Sequence, residues 1–402
     1  MNHQKDHIPK PHIALLIMLS ALSPVALNIF IPSMPSLTAS LNTNYTTSQL
    51  TLTLYLVALA FAQLILGPLS DKYGRRPVLL IGVAVYAVSS LACAFAFNIE
   101  QLITGRIFQA AGGCVGVVIT RAIVRDLYDK NKAASIIGYM TMIMVLAPMS
   151  APIIGGYIDQ YADWRGSFYF VSLIGLIIFG YSFIKLHETN KNPIRDIDFV
   201  AMFKKYGILI RQKQYMGYIA SLSFSSAVFF AFIADASRIA TEQLGLLPSE
   251  YGYYFILVSL GYMLGNFLSG KFAQRLGNVK MIMYGNIVLS VGIIVLLYVN
   301  HIEFTHPFYL FIPMTFVACS NGIIIPSSMA EALSVRPDIA GSASGLAGFT
   351  QVASGAIATL IVGYFYDGST TPMVATMLGA AVLSIFTFIV VIRKTAPLQN
   401  LN

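Results

Sequence analysis

The feature that most constrains this chain is its succession of apolar runs, each about 20 residues long, separated by short polar turns. Charged residues make up only 10% of the 402 residues, where a soluble domain carries roughly 25%. A mean hydropathy of +0.72 leaves too little polar side chain to coat a globule of this size. The surrounding medium is therefore lipid, and the spanning elements have to be helices or a closed barrel. The runs show no alternation of period two, so they read as helices. Twelve spans are expected, at 12–33, 48–69, 76–97, 101–122, 134–157, 166–186, 215–237, 251–272, 279–299, 307–329, 341–363 and 371–392.

The net charge of +8 does not point to nucleic acid, because the basic residues sit in short turns between apolar runs. Of the 25 Lys and Arg, 22 fall on one side if both termini are cytoplasmic. The other side holds Arg165 and Arg238, and Arg106 lies inside a span. Positive charge collects on the cytoplasmic face, so this split orients the chain. The stretch Met1–Pro11 leads into a run too long for a signal peptide, with no A-x-A-like cleavage site after it, and reads as a cytoplasmic tail. Cys93, Cys114 and Cys319 lie in apolar runs without C-x-x-C spacing and read as small hydrophobes.

One turn recurs. Gly67-Pro-Leu-Ser-Asp71-Lys-Tyr-Gly74-Arg75-Arg76-Pro77 has its counterpart 203 residues on, in Gly270-Lys-Phe-Ala-Gln274-Arg275-Leu-Gly277-Asn-Val-Lys280. Half-chain duplication of several spans each is the mark of a secondary transporter. The expected class is an all-α membrane protein whose twelve helices form two pseudo-symmetric six-helix bundles. The expected division is a first bundle at 1–186, a cytoplasmic linker at 187–214 and a second bundle at 215–402. The linker reads as a solvated tether with room for an interfacial helix. Gly67 and Gly74 are expected to turn the chain tightly. Arg75 and Arg76 are expected at the anionic membrane surface. Asp71 is expected beside them, near the N-terminal end of span eleven at Gly341, where a carboxylate is stabilised. That makes Gly67, Asp71, Gly74, Arg75 and Arg76 a candidate cytoplasmic gate; the alternative is a loop that only fixes topology.

Arg106 is the one charge deep within a span, where it has to face a cavity or a partner. Gln109, three residues on, shares its helix face. Arg106 is read as a cavity cation or as a structural arginine held by carbonyls and amides. The other polar groups within spans that could line a cavity are Asn28, Tyr55, Gln63, Tyr262, Asn266, Asn321 and Gln351. Amides and aromatics of this kind suit a moderately lipophilic organic substrate, and each of them could instead bond helix to helix. Two acids near span ends are proton-coupling candidates: Asp235, with Arg238 three residues on, and Glu331. Their alternatives are an ion pair at the outer surface and a solvated helix end. Span five carries Gly138, Pro148, Pro152, Gly155 and Gly156, small residues and bends that let helices approach closely.

The Gly67–Pro77 turn resembles the loop-two motif of the major facilitator superfamily, G-x-L-a-D-r-x-G-r-k. Leu102-Ile-Thr-Gly-Arg106-Ile-Phe-Gln109-Ala-Ala-Gly112-Gly113 is similar to that superfamily's span-four motif. Arg121-Ala-Ile-Val-Arg125-Asp126-Leu together with Ile31-Pro32-Ser-Met-Pro35 resembles the bicyclomycin/chloramphenicol-resistance (Bcr/CflA) branch of drug:proton antiporters. Span five resembles the exporters' antiporter motif, with Ala147 and Ala151 where that motif has glycines. The resemblance covers nearly the whole chain and departs from the branch at Asn28, where the branch carries an acid. An amide can hydrogen-bond a ligand but cannot carry a proton.

The resemblance implies proton-coupled export of drugs or related small molecules by alternating access in the bacterial inner membrane. The implied partners are the bilayer, a small organic substrate and protons, with the chain acting as a monomer. The alternatives are a facilitator or importer with weak proton coupling, and a receptor that binds without carrying. No P-loop, G-x-S-x-G or H-E-x-x-H occurs in the sequence, and His3, His7 and His12 lack metal-site spacing, so neither an enzyme, a cofactor nor a metal is expected.

Overall fold

The computed structural model describes residues 11–128, 132–133, 136–137, 140, 144, 146–190, 199–301 and 306–392. The described residues form helices and turns without strands. Helices α1 (Ile13–Asn28), α2 (Met34–Ser40), α3 (Tyr45–Tyr73), α4 (Arg75–Ala94), α5 (Ile99–Leu127), α6 (Leu146–Ala162) and α7 (Arg165–Lys185) belong to the first half of the chain. Helix α8 (Phe199–Ile210) lies in the linker. The second half holds α9 (Lys213–Arg238), α10 (Pro248–Leu276), α11 (Asn278–His301), α12 (Pro307–Val335), α13 (Ala340–Tyr364) and α14 (Thr371–Thr387). Eleven of the described helical segments are long and apolar enough to cross a membrane. The described part of the expected fifth span is α6.

Local chemistry sets the ends. The Asn44 side chain caps α3 by accepting from the Thr47 amide at 2.8 Å, and Asn98 caps α5 through the Gln101 amide at 2.9 Å. Pro248 and Pro307 open α10 and α12, where a missing N–H costs nothing. Several helices outrun their expected spans: α3, α5, α10 and α12 each have 29 residues, about 43 Å at 1.5 Å per residue. They project well past a hydrocarbon core of about 30 Å. This overshoot corrects one expectation. Gly67 lies inside α3 and does not turn the chain; Gly74 alone makes the turn, at φ +95°. The first apolar segment runs over Ile13–Ser40 and covers the expected span, but its helix α1 is interrupted. That helix stops at Asn28, and the prolines at 32 and 35 divide the next stretch of chain into a single turn and the short α2.

Small residues set the closest helix crossings. A Cβ on Gly116 of α5 would lie 1.9 Å from the Leu19 carbonyl oxygen of α1, and one on Gly265 of α10 would lie 2.0 Å from the Cys319 oxygen of α12. The two halves meet along α3 with α13 and along α6 with α10. The turns near Gly74, Tyr128, Leu186, Gly277 and Arg336 share one end of the molecule, the basic end. The turns near Leu41, Phe95, Asp163, Leu244 and Phe365 share the opposite end. Linker helix α8 buries Tyr206 and Leu209 against α9 and α13 and exposes Lys204 and Lys205.

Candidate functional site

A cavity of about 240 Å³ lies between the halves. Asn28, Gln63, Tyr262, Asn321 and Gln351 are on its wall, joined by Ser23, Ser226, Ser259 and apolar side chains that include Phe229, Phe230 and Phe255. The phenyl groups come from α9 and α10, and their contribution is not visible in a sequence where 26 Phe are mostly spread through core and lipid-facing positions. A larger concavity of about 880 Å³ lies between α4 and α5. It is walled by one half alone and rimmed by exposed Val88, Phe95 and Phe108, so it belongs to the lipid-facing surface.

The wall amides are held by their neighbours. Asn28 donates to the Pro24 carbonyl at 2.8 Å, and among the described residues its buried Oδ1 has no partner. Asn321 accepts from the Ser225 hydroxyl. Gln351 points its amide toward Ser226 at 3.5 Å. Asn266, expected on the wall, bonds back to the Tyr262 carbonyl at 2.8 Å and does not line the cavity.

Arg106, Gln109 and Tyr55 stand behind this wall, not on it. The guanidinium carbon of Arg106 lies 4.1 Å from the ring centroids of both Phe30 and Tyr55, a stacked position that suits a planar cation. Nη1 donates to the Ala26 carbonyl at 3.0 Å and to Gln109 Oε1 at 2.5 Å. Gln109 passes the chain on to Ser90 at 2.7 Å. Tyr55 bonds Ser23 at 2.9 Å, and Ser23 reaches the cavity. The arginine thus fixes the backbone of α1 just where α1 presents Asn28. It is fully buried and, among the described residues, has no carboxylate partner. Holding a charge so deep depends on these carbonyl, amide and ring contacts.

Toward the opposite end the halves are stitched shut. Tyr45 and Gln49 of α3 both donate to the Ala234 carbonyl, at 3.1 and 2.8 Å. Thr53 meets Thr359 at 2.8 Å, Ser249 donates to Gln160 at 2.9 Å, and the hydroxyls of Tyr157 and Tyr253 bond each other. Asp235 and Arg238 lie in this seam. They form a bidentate pair at 2.7 and 2.8 Å. Both are buried, at 1% and 2% exposure, not displayed at the outer surface. Arg238 also donates to the Gly368 and Ser369 carbonyls and faces the rings of Tyr366 and Tyr45.

Gly155 and Gly156 bring α6 against two partners at once. A Cβ would lie 1.7 Å from the Ile29 oxygen at Gly155 and 2.3 Å from the Pro248 oxygen at Gly156. Pro152 sits within α6, beside Gly252 of α10. Gly138 and the Pro148 side chain lie outside the described residues.

At the basic end, Asp71 and Arg75 of the expected gate bind each other within the first half. Arg75 is 8% exposed. It reaches Asp71 at 2.5 Å, Asp126 at 3.0 Å and Ser70 at 2.7 Å. Glu188 closes the turn from the linker side by accepting from the Arg75 and Arg76 amides at 2.9 and 3.0 Å, a carboxylate at a helix N-terminus. Arg76 donates to the Leu186 and Phe183 carbonyls. Both arginines are therefore engaged by protein groups, where headgroup contact was expected. Asp71 meets Arg75 rather than the start of α13, and a Cβ on Gly341 would have nothing within 4 Å. Glu331 is held by Asn278 at 2.8 Å.

A family description, Major Facilitator Superfamily, matches residues 16–359 and again 236–401. The chain is 30% identical over 394 residues to the bicyclomycin resistance protein homolog of Haemophilus influenzae, covering 96% of this chain and 97% of the relative. It is 25% identical to the multidrug resistance protein D of Escherichia coli, with 87% of each covered. The chloramphenicol resistance protein of Pseudomonas aeruginosa is 28% identical, over 71% of this chain and 67% of that protein. Among solved structures, a bacterial homolog of the human lysosomal transporter Spinster, inward-facing and occupied, superposes with a TM-score of 0.71 at 14% identity, over 96% of this chain and 97% of the other. A D-xylose–proton symporter superposes with a TM-score of 0.73 at 12% identity, over 93% and 96%.

Proposed function

Because the chain belongs to the Major Facilitator Superfamily, we propose that this membrane transporter exports small organic molecules by alternating access, with protons as the coupling ion. One observation carries the reading. The cavity lies between the halves, and the hydrogen bonds that join the halves among the described residues lie between it and the opposite end. In this reading the basic end is cytoplasmic, the structure is open toward the cytoplasm, and both termini lie on the cytoplasmic side of the inner membrane. Residues 1–186 and 215–402 rock as two bodies about the cavity, joined by 187–214, and the chain works as a monomer. The drug-resistance relatives support a drug-like substrate.

Asn28 shapes the coupling step. Without an acid there, the proton has to be carried elsewhere, and Asp235 and Glu331 are the two acids to test. Each is already tied, to Arg238 and Asn278, so the expected coupling is weak or shifted in pH. The test is counterflow and substrate-evoked pH change in proteoliposomes. Exchange of labelled substrate supports carriage; binding without exchange would make the protein a receptor. A pH signal that survives both Asp235→Asn and Glu331→Gln removes them as carriers. Asn28 also favours a second reading, a facilitator, and flux that ignores an imposed pH gradient would select it. Arg106→Ala is expected to abolish transport while membrane insertion stays normal, because the guanidinium positions α1; wild-type flux would refute that role.

A further inference from the structure

The charges around the cavity narrow what it can hold. Among the described residues, no Asp or Glu is on its wall. The fifth span adds none, since residues 133–158 contain no Asp, Glu, Lys or Arg. On the first-half side Arg106 stands one layer back behind Ser23 and Tyr55, fully buried and without a carboxylate among the described residues. In a low-dielectric interior such a charge is felt well beyond its contacts.

A second cation stands on the way out. Val117 lines the cavity on α5, and Arg121 lies one turn closer to the basic end on the same face. Arg121 is half-buried and forms no ion pair among the described residues. The carboxylate one turn beyond, Asp126, is already shared by Arg75 and Thr189. On the other wall helices the residues one turn nearer the basic end are uncharged: Gly67 below Gln63, Leu222 below Ser226, Asn266 below Tyr262, Met329 below Ile325 and Ala347 below Gln351. One turn below the cavity the described lining is therefore positive at Arg121 and uncharged on these five helices.

Resting on the transporter reading, we propose that the cavity takes neutral or singly anionic amphiphiles and turns away cations of the same shape. The aromatic faces offer a cation some attraction. A cation also gives up its water there, and no carboxylate takes the water's place. An anion meets the field of two arginines, and a neutral molecule meets the amides of Asn28, Gln63, Asn321 and Gln351. Asn28 is the residue that decides, because an acid at that position would face the same space.

Three molecules with one apolar body separate the possibilities: 4-tert-butylbenzoate, 4-tert-butylbenzamide and 4-tert-butylphenyltrimethylammonium. Binding of each to the full chain is measured in a neutral detergent by its effect on the thermal midpoint. The benzamide and the benzoate are expected to bind, with the ammonium weaker than the benzamide by at least about fivefold. Asn28→Asp should reverse that order, and Arg121→Gln should narrow the gap. A gap below about fivefold in the unmodified chain, or no binding by any of the three, overturns the proposal. Counterflow is read in parallel. Loss of exchange with the binding order intact would overturn the transporter reading and leave the charge preference standing.

Discussion

The two glycine-bounded turns at the basic end have one backbone and two chemistries. Gly74 and Gly277 sit 203 residues apart and share a conformation, φ +95° with ψ 155° and φ +81° with ψ 150°. That region is open essentially only to glycine. The side chains around them diverge. At the same spacing, Asp71 becomes Gln274 and Arg75 becomes Asn278. The first turn is a hub in which one buried guanidinium meets two carboxylates and a hydroxyl. The second has an amide-to-carboxylate bond, Asn278 to Glu331, while Gln274 and Arg275 face outward. Duplication preserved the bend and not the lock. The first half is therefore the stiffer one at this end, and the linker is fastened to it through Glu188, Thr189 and Asn190.

The largest expected difference is between Arg75→Ala and Asn278→Ala. Removing Arg75 leaves two carboxylates without their cation and should cost about 2–4 kcal/mol, below the full range for buried pairs because both acids are partly exposed. Asn278→Ala should cost about 1 kcal/mol. Thermal midpoints in detergent check both, and equal shifts would erase the contrast. Next come the glycines. Gly277→Ala should cost about 1–3 kcal/mol from backbone strain alone, since a Cβ there meets nothing within 4 Å. Gly74→Ala should cost more, because its Cβ would lie 2.5 Å from Glu188 Oε2 and would push the cap away. Glu188→Gln keeps the shape and removes the charge, for about 0.5–1 kcal/mol. Its mark should be faster proteolysis of the linker, read by limited digestion against the unmodified chain. Smallest is Gln274→Asp, expected within about 0.5 kcal/mol, because no buried arginine waits for the new acid.

How much of the molecule is legible in its sequence depends on how local each interaction is. The spans, the repeat and the glycine bend come from patterns within a few residues. So does the Arg106–Gln109 bond, whose spacing of three puts both on one face. The groups lying over Arg106 are not local. Ala26, Phe30 and Tyr55 come from outside its own helix, and their arrival moves the arginine off the cavity wall. Asp235 shows the same split. The pairing with Arg238 is written in the spacing, whereas the rings of Tyr45 and Tyr366 that lie over Arg238 come from distant parts of the chain. Asp126 and Glu188 were missed as partners of the Gly74 turn because Arg75 lies 51 and 113 positions away. Asp126 could have been found, since it sits among the charges of the Arg121–Leu127 stretch, but Glu188 sits in a segment that reads as tether. The over-length helices were also hidden, since hydropathy fades at the lipid edge while the backbone continues as helix.

Gly155 and Gly156 have a consequence for how α6 can move. With the Pro248 oxygen this near to Gly156, and the Ile29 oxygen to Gly155, α6 has no clearance for one added methyl group on either side. A Gly156→Ala substitution would act as a shim that props the far mouth ajar. It would loosen the closed end without touching a single residue that lines the cavity.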